Sequence, residues 1–249
     1  AYEISSCDWS SDLCSSDLSH MMIAMSGDFT QRGEPAIADK WTRSRWAVRC
    51  GADVVFELPF VFACNRAAVF AAGGVDLLAS AGATHISFGC ETDDPEELFG
   101  IAEALTDNSS RLEELARAHM ADGWSYAKAY ETAVRELVGG READPLRKPN
   151  NILAVEYIKR IEDLRKRGLD IEALPVVRTG SGYDGINESE GFAGASAIRR
   201  MIEEDGAKGL CTKIQRFLPD QISAWVCEGE QLKEVRRSEE RRVGKECRS

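Results

Sequence analysis

The feature that most limits how this chain can fold is the alternation of short apolar runs with helix-length segments. Met22–Met25, Ala52–Pro59, Thr84–Gly89 and Ile171–Val177 have strand character and end in turn-forming residues. Between the first three lie Pro35–Arg49 and Asn65–Ala81, which read as helices. The first of these opens on a proline, whose missing N–H costs nothing in a first turn. Strands separated by helices predict parallel βαβ units, so the expected class is α/β with a Rossmann-like parallel sheet. Ligands in such sheets sit beyond the carboxyl ends of the strands, which directs attention to the strand-end loops.

The third strand is followed by a charged, helical stretch, Pro95–Val138, that stops at Gly139-Gly140 and reads as a helical insertion. Asn150–Arg167 is a further helix with Leu153, Tyr157, Ile161 and Leu164 on one face. Ser196–Glu204 opens a last clear helix, and residues 208–236 are mixed and mainly helical in character. The two ends have no such period. Cys14–Leu18 and the tail Arg237–Ser249 are both encoded by one sequencing adapter read in two orientations, so residues 1–18 and 237–249 are read as adapter-derived. That leaves one α/β domain expected over 19–205 and the start of a helical C-terminal region over 206–236.

Composition removes several function classes. A formal charge of −11 argues against a chain that coats nucleic acid along its whole surface, because phosphate affinity comes from Lys and Arg. A local basic patch stays open. There is no apolar run long enough to cross a membrane and no secretory signal pattern, so the expected setting is soluble and cytoplasmic. Of the eight cysteines, Cys7, Cys14 and Cys247 fall in the suspect ends, and Cys50, Cys64, Cys90, Cys211 and Cys227 lack metal-ligand spacing. They read as reduced thiols, with no metal centre.

Six segments carry candidate chemistry, and each also has a plainer use. The loop Met25–Pro35, with Ser26, Gly27, Asp28, Gln31 and Arg32, could hold an anion at a helix N-terminus, or be an ordinary βα connection. Gly89, in Phe88-Gly-Cys-Glu91, lets backbone approach a flat ligand, or serves a turn. Asn150 and Asn151 could read an adenine or ribose edge, or cap a helix. Arg178, beside Gly180 and Gly182, offers a permanent cation to a phosphate, or marks a surface turn. Ser196 and Arg199 bring hydroxyl, helix dipole and guanidinium to one spot, as a triphosphate requires, or form a helix cap. The basic run Lys159, Arg160, Arg165–Arg167 could touch RNA phosphates, or be a solvated face balanced by Glu162 and Asp163. His20, His85 and His119 sit in no catalytic arrangement.

The order of these motifs is more specific than any of them alone. MSGDFTQRGEPAIADKWTRSRWA, GADVVFELPF, HISFGCE, KPNNILAVEYIK, VVRTGSGYD and ASAIRR, in that succession, resemble the bacterial tRNA(Met) cytidine acetate ligases, built on the HxGH-type nucleotidyltransferase fold. The resemblance covers residues 20 to about 205 and, more loosely, to about 230. It implies ATP-dependent activation of acetate to acetyl-adenylate and transfer of the acetyl group to the wobble cytidine of elongator tRNA(Met). ATP and Mg2+ carried on its phosphates are the implied cofactors; acetate and tRNA are the implied partners, with no DNA and no membrane. Gly89, Asn150 or Asn151, and Arg178 match ATP-contacting positions, and Ser196 and Arg199 match the phosphate-binding motif of related enzymes. No match to the family's EYNPFHxGH-like loop is found, so catalytic residues are not assigned. The chain is expected to be an internal fragment, lacking the first βα unit and inefficient in both steps. The alternatives are another adenylyltransferase of the same fold and a non-catalytic nucleotide- or RNA-binding module.

Overall fold

The computed structural model describes residues 20–36, 38–139, 145–178, 186–187, 192–193 and 222. The chain divides into two units, one comprising Ala1–Asn65 with Thr179–Ser249 and the other Arg66–Arg178.

In the first unit, β1 (Met22–Ser26) pairs in parallel with β2 (Val54–Leu58), Met22 opposite Val54 and Ser26 opposite Leu58. The connecting helix α1 spans Lys40–Arg49 and buries Thr42, Trp46 and Ala47. It begins later than the sequence pattern predicts. Asp39 is the stronger start signal: its Oδ1 accepts the N–H groups of Trp41 and Thr42 at 2.9 and 3.0 Å. Pro35 instead forms a bridge with Phe29, in a folded loop closed by Ala36 N–H donating to Asp28 O. A short helix α2 (Phe60–Ala63), not anticipated from sequence, follows Pro59 directly. β5 (Ile186–Asn187) and β6 (Phe192–Ala193) are a minimal antiparallel pair.

The second unit opens with α3 (Ala67–Ser80) and β3 (His85–Cys90). The expected insertion is three helices: α4 (Glu96–Asp107), α5 (Ser109–Ala121) and α6 (Tyr126–Val138). Then come α7 (Pro149–Lys166) and β4 (Glu172–Val177). The proline expected to open α1 has its counterpart here, where Pro149 occupies the first turn of α7. β3 and β4 are parallel, with His85 opposite Glu172 and Cys90 opposite Val177. α7 packs on α3, α4 and β3. It buries a wide stripe, Asn151, Ala154, Val155, Tyr157, Ile158, Ile161 and Leu164, against a core that includes Phe70, Val75, Phe88, Leu98 and Ile101. That burial removes enough apolar surface to hold the unit's centre, and the Phe88 and Tyr157 rings meet 5.2 Å apart.

The two parallel pairs and the helical insertion bear out the α/β class. Among the described residues, no helix is long and apolar enough to cross a membrane. The expected helix Ser196–Glu204 and both termini lie outside the described residues, as does the 206–236 region apart from Ile222.

Candidate functional site

Because β3 and β4 run parallel, their carboxyl ends lie side by side, and the residues that continue them become neighbours. Arg178 N–H donates to Cys90 O at 2.8 Å, which carries the ladder one residue past β4. A Cβ on Gly89 would stand 3.2 Å from both Cγ and Cδ of Arg178. Glycine at 89 therefore makes room for the arginine stem to lie across the strand end. Arg178 is exposed, and among the described residues its guanidinium has no hydrogen-bond or carboxylate partner. A permanent cation is thus held by its stem while its head stays open, the arrangement that bidentate anion recognition requires.

Glu91, the next residue after β3, is fixed through its backbone. Its N–H donates to Asn151 Oδ1 at 2.6 Å, and its carbonyl accepts from Lys148 Nζ at 2.6 Å. Asn151 is fully buried and its Nδ2 donates to Pro145 O at 2.9 Å. It ties the strand-end loop to the start of α7. Asn150 is half-buried, and its side chain has no partner among the described residues, which separates the two amides left open by the sequence: one is a strut, the other is available. Glu91 Oε2 is buried without a hydrogen-bond partner. The Cys90 thiol is pushed up by burial, which keeps it protonated and unsuited to nucleophilic attack.

The loop Met25–Pro35 lies in the other unit. The first N–H groups of α1 are already taken by the chain's own carboxylates, Lys40 N–H by Asp28 Oδ1 at 3.1 Å and Trp41 and Thr42 by Asp39. This helix N-terminus is closed to an outside anion. Burial pushes the Asp39 carboxyl up, but the Thr42 hydroxyl, the Thr42 and Trp41 N–H groups and the Arg45 charge outweigh it and hold it below the usual range. Ser26 and Gly27 are buried; their carbonyls accept from the Arg43 guanidinium, which also donates to Ala38 O. A Cβ on Gly27 would meet Glu57 Oε1 at 2.5 Å, and Glu57 pairs with Lys40 at 2.7 Å. Gln31 donates to Asn65 O at 3.4 Å, and Arg32 is exposed on the surface of the loop with contacts of its own.

Ser196 and Arg199 lie outside the described residues. Sequence reasoning missed Lys148 and Arg43. Lys148 stands directly before Pro149, so its position ahead of a helix start was the available signal. Arg43 could be found only from the carbonyls it reaches. Lys159, Arg160, Arg165 and Arg167 pair with Glu156, Asp76, Asp163 and Glu162, which makes that run the balanced face. His85 pairs with Glu172 and His119 with Glu136. Among the described residues, no group of three or more His, Cys, Asp or Glu side chains could hold a metal ion.

The family model described as HIGH Nucleotidyl Transferase matches residues 12–241. The tRNA(Met) cytidine acetate ligase of Thermoanaerobacter sp. (strain X514) is 40% identical over 203 residues, 81% of this chain and 49% of the relative. The protein of the same name from Bacillus licheniformis is 41% identical over 192 residues, 75% of this chain and 45% of the relative. The chain thus spans about half the length of the curated relatives it matches. Crystal structures of Thermotoga maritima TmcAL are similar at 32% identity: an apo form with TM-score 0.71, covering 87% of this chain and 51% of that one. A form bound with alpha-thio ATP has TM-score 0.70, covering 86% of this chain and 49% of that one.

Proposed function

We propose, on the premise that this chain belongs to the HIGH nucleotidyl transferase family, that it is the ATP-binding part of an ATP-dependent tRNA(Met) cytidine acetate ligase. The observation that carries the reading is the open Arg178 guanidinium, held by its stem over Gly89 at the carboxyl ends of β3 and β4. That is where a parallel sheet receives its ligand, and the ligand must be an anion. The alpha-thio ATP bound to the similar Thermotoga maritima protein gives that anion a chemical class. Residues 19–205 form the nucleotide-binding domain in this reading, and 206–236 begin the helical C-terminal region.

Gly89, Asn150 and Arg178 contact ATP, with Asn151 setting the loop against which the nucleotide rests. Ser196 and Arg199 are assigned to the phosphates, and the Ser26–Arg32 loop is assigned to substrate or phosphate. An acetate oxygen attacks the α-phosphorus, pyrophosphate leaves with the electron pair of the broken P–O bond, and acetyl-adenylate forms. The exocyclic amine of the wobble cytidine then attacks the acetyl carbonyl; AMP leaves and the amine gives up a proton. Forming the mixed anhydride first is what lets so weak a nucleophile react. Charge builds on phosphate oxygens in the first step, so cations and oriented N–H groups do the stabilising. In this reading Mg2+ would be carried by the ATP phosphates.

Calorimetric titration of the 249-residue chain with ATP tests the reading. Arg178→Ala is expected to weaken binding by at least about 10-fold, the loss of one charge-assisted contact. Parent-like affinity in that variant would overturn the site. Acetate-dependent ATP–pyrophosphate exchange then marks the ligase reading. Exchange that needs a different acceptor marks a sibling adenylyltransferase, and tight ATP binding with no exchange marks a binding module.

A further inference from the structure

Helix α1 carries Lys40, Arg43, Arg45 and Arg49 and no acidic residue, in a chain whose net charge is −11. Two of these cations are committed inside the unit, Lys40 to Glu57 and Arg43 to the strand-end carbonyls. The other two make no salt bridge among the described residues. Arg45 and Arg49 share one helix face with Trp41 and Val48, at spacings of four, seven and eight residues, and all four are exposed. Trp41 is 69% exposed and Val48 52%. Arg45 donates through Nε to Trp41 O at 3.3 Å and its charge reaches the Asp39 carboxylate, but among the described residues neither Arg45 nor Arg49 makes a salt bridge. The face also has a fixed place. Lys40 N–H on Asp28, and Arg43 on Ser26 and Gly27, seat the first turn of α1 against the carboxyl end of β1. The Lys40 ammonium that holds Glu57 near the carboxyl end of β2 stands 5.5 Å from the Trp41 ring centroid, so the indole lies beside the strand ends where ligands of parallel sheets are received, with one cation already near it.

An occupant of this face must bring negative charge for two guanidiniums and a flat apolar surface for one indole. A protein partner would want more apolar area than a lone Trp and a Val offer, since stable protein interfaces need about 1,000 Å2 around a desolvated core. An unpaired nucleotide supplies both requirements together, a base to stack and phosphates to either side. We infer that the Trp41–Arg45–Arg49 face of α1 is a docking surface for a single-stranded or loop segment of RNA, the indole stacking on an unpaired base and the two arginines holding flanking phosphates. The inference deepens the proposed function and rests on its reading of an RNA substrate; the surface itself is independent of the nucleotide site around Arg178.

The test is fluorescence anisotropy of labelled elongator tRNA(Met) transcript with the full chain, titrated between 50 and 200 mM salt (roughly the range over which phosphate contacts are read). Trp41→Ala is expected to weaken binding about 5-fold or more. The double variant Arg45→Gln, Arg49→Gln is expected to weaken it about 10-fold or more and to reduce the salt slope by about 1.4, at ~0.7 for each single-strand phosphate. Arg165→Gln with Arg167→Gln, on α7, keeps parent affinity, and circular dichroism shows every variant folded. The inference is overturned if the α1 variants bind as the parent does, or if the α7 pair weakens binding equally. It is also overturned if the α1 variants change only the sedimentation mass, which would make a second copy the occupant. ATP titration of the same samples separates the two claims: a parent that binds ATP but no tRNA removes this surface and leaves the nucleotide site, and a parent that binds tRNA through α1 but no ATP does the reverse.

Discussion

Helices α1 and α7 are both rich in Lys and Arg, yet they put those charges to opposite uses. On α7 the cations are neutralised where they stand: Arg160 makes a two-pronged pair with Asp76, at 2.7 and 2.9 Å, and also meets Asp163. Lys159, Arg165 and Arg167 find carboxylates three or four residues away on the same helix. The rest of that helix is core. On α1 there is no carboxylate within the helix to meet: Lys40 reaches Glu57 on β2, Arg43 turns inward to carbonyls, and Arg45 and Arg49 stay on the exposed face without a salt bridge among the described residues. A dense basic run is thus a poorer sign of an anion-binding surface than a sparse one without acids. What matters is the sign of the residues one helical turn away.

The comparison can be broken by substitution. The largest effect is expected for Asn151→Ala on α7, which strands the buried Glu91 N–H and the Pro145 carbonyl. The cost is about 2–3 kcal/mol, read as a fall in denaturant midpoint, and ATP affinity falls with it. An unchanged midpoint would show that Asn151 is no strut. Asp39→Ala, which removes the α1 cap, is expected to cost about 1 kcal/mol. Its pH dependence has a definite sign. The Asp39 carboxyl is held below its ordinary range in the folded chain, so the cap stabilises fully above the ordinary Asp value near 3.9 and is lost as pH falls further. Parent and Asp39→Ala should therefore differ at neutral pH and converge in strong acid; a gap that widens on acidification would contradict the capping geometry. Smaller still, Arg160→Ala is expected to cost about 0.5–1 kcal/mol, because its ion pairs are partly solvated. Arg49→Ala, with no partner to lose, is expected to change stability by less than about 0.5 kcal/mol in the same melts. If Arg49→Ala cost as much as Arg160→Ala, the contrast between the two helices would fail.

The strands and the main helices were legible because their signals are local. Apolar runs bounded by turn residues mark β1 to β4, and Leu153, Tyr157, Ile161 and Leu164 mark the inner side of α7. Where two local signals competed, the reading went astray. Pro35 is an acceptable helix opener, but Asp39 can hold two N–H groups and Pro35 none, so α1 starts at Lys40. The short helix α2 carries no periodic pattern at all, and only the turn after Pro59 makes it. At the candidate site, Gly89, Asn150, Asn151 and Arg178 were singled out by residue type and motif order. Lys148 was not, because a lysine ahead of a helix is unremarkable until its Nζ is seen on Glu91 O.

Sequence alone determined the α/β class, the positions of the strand ends and the residues of the candidate site, because turn chemistry, hydrophobic period and motif order all act over short distances along the chain. Tertiary structure alone decided which amide is a strut and which is open, why a glycine at 89 gives an arginine stem its room, and which basic helix keeps charges exposed. Each of those depends on a partner brought near by the fold: Glu91 for Asn151, Arg178 for Gly89, and Asp76 for Arg160. A residue's type sets the bonds it can make; only packing determines whether a partner inside the chain has already taken them.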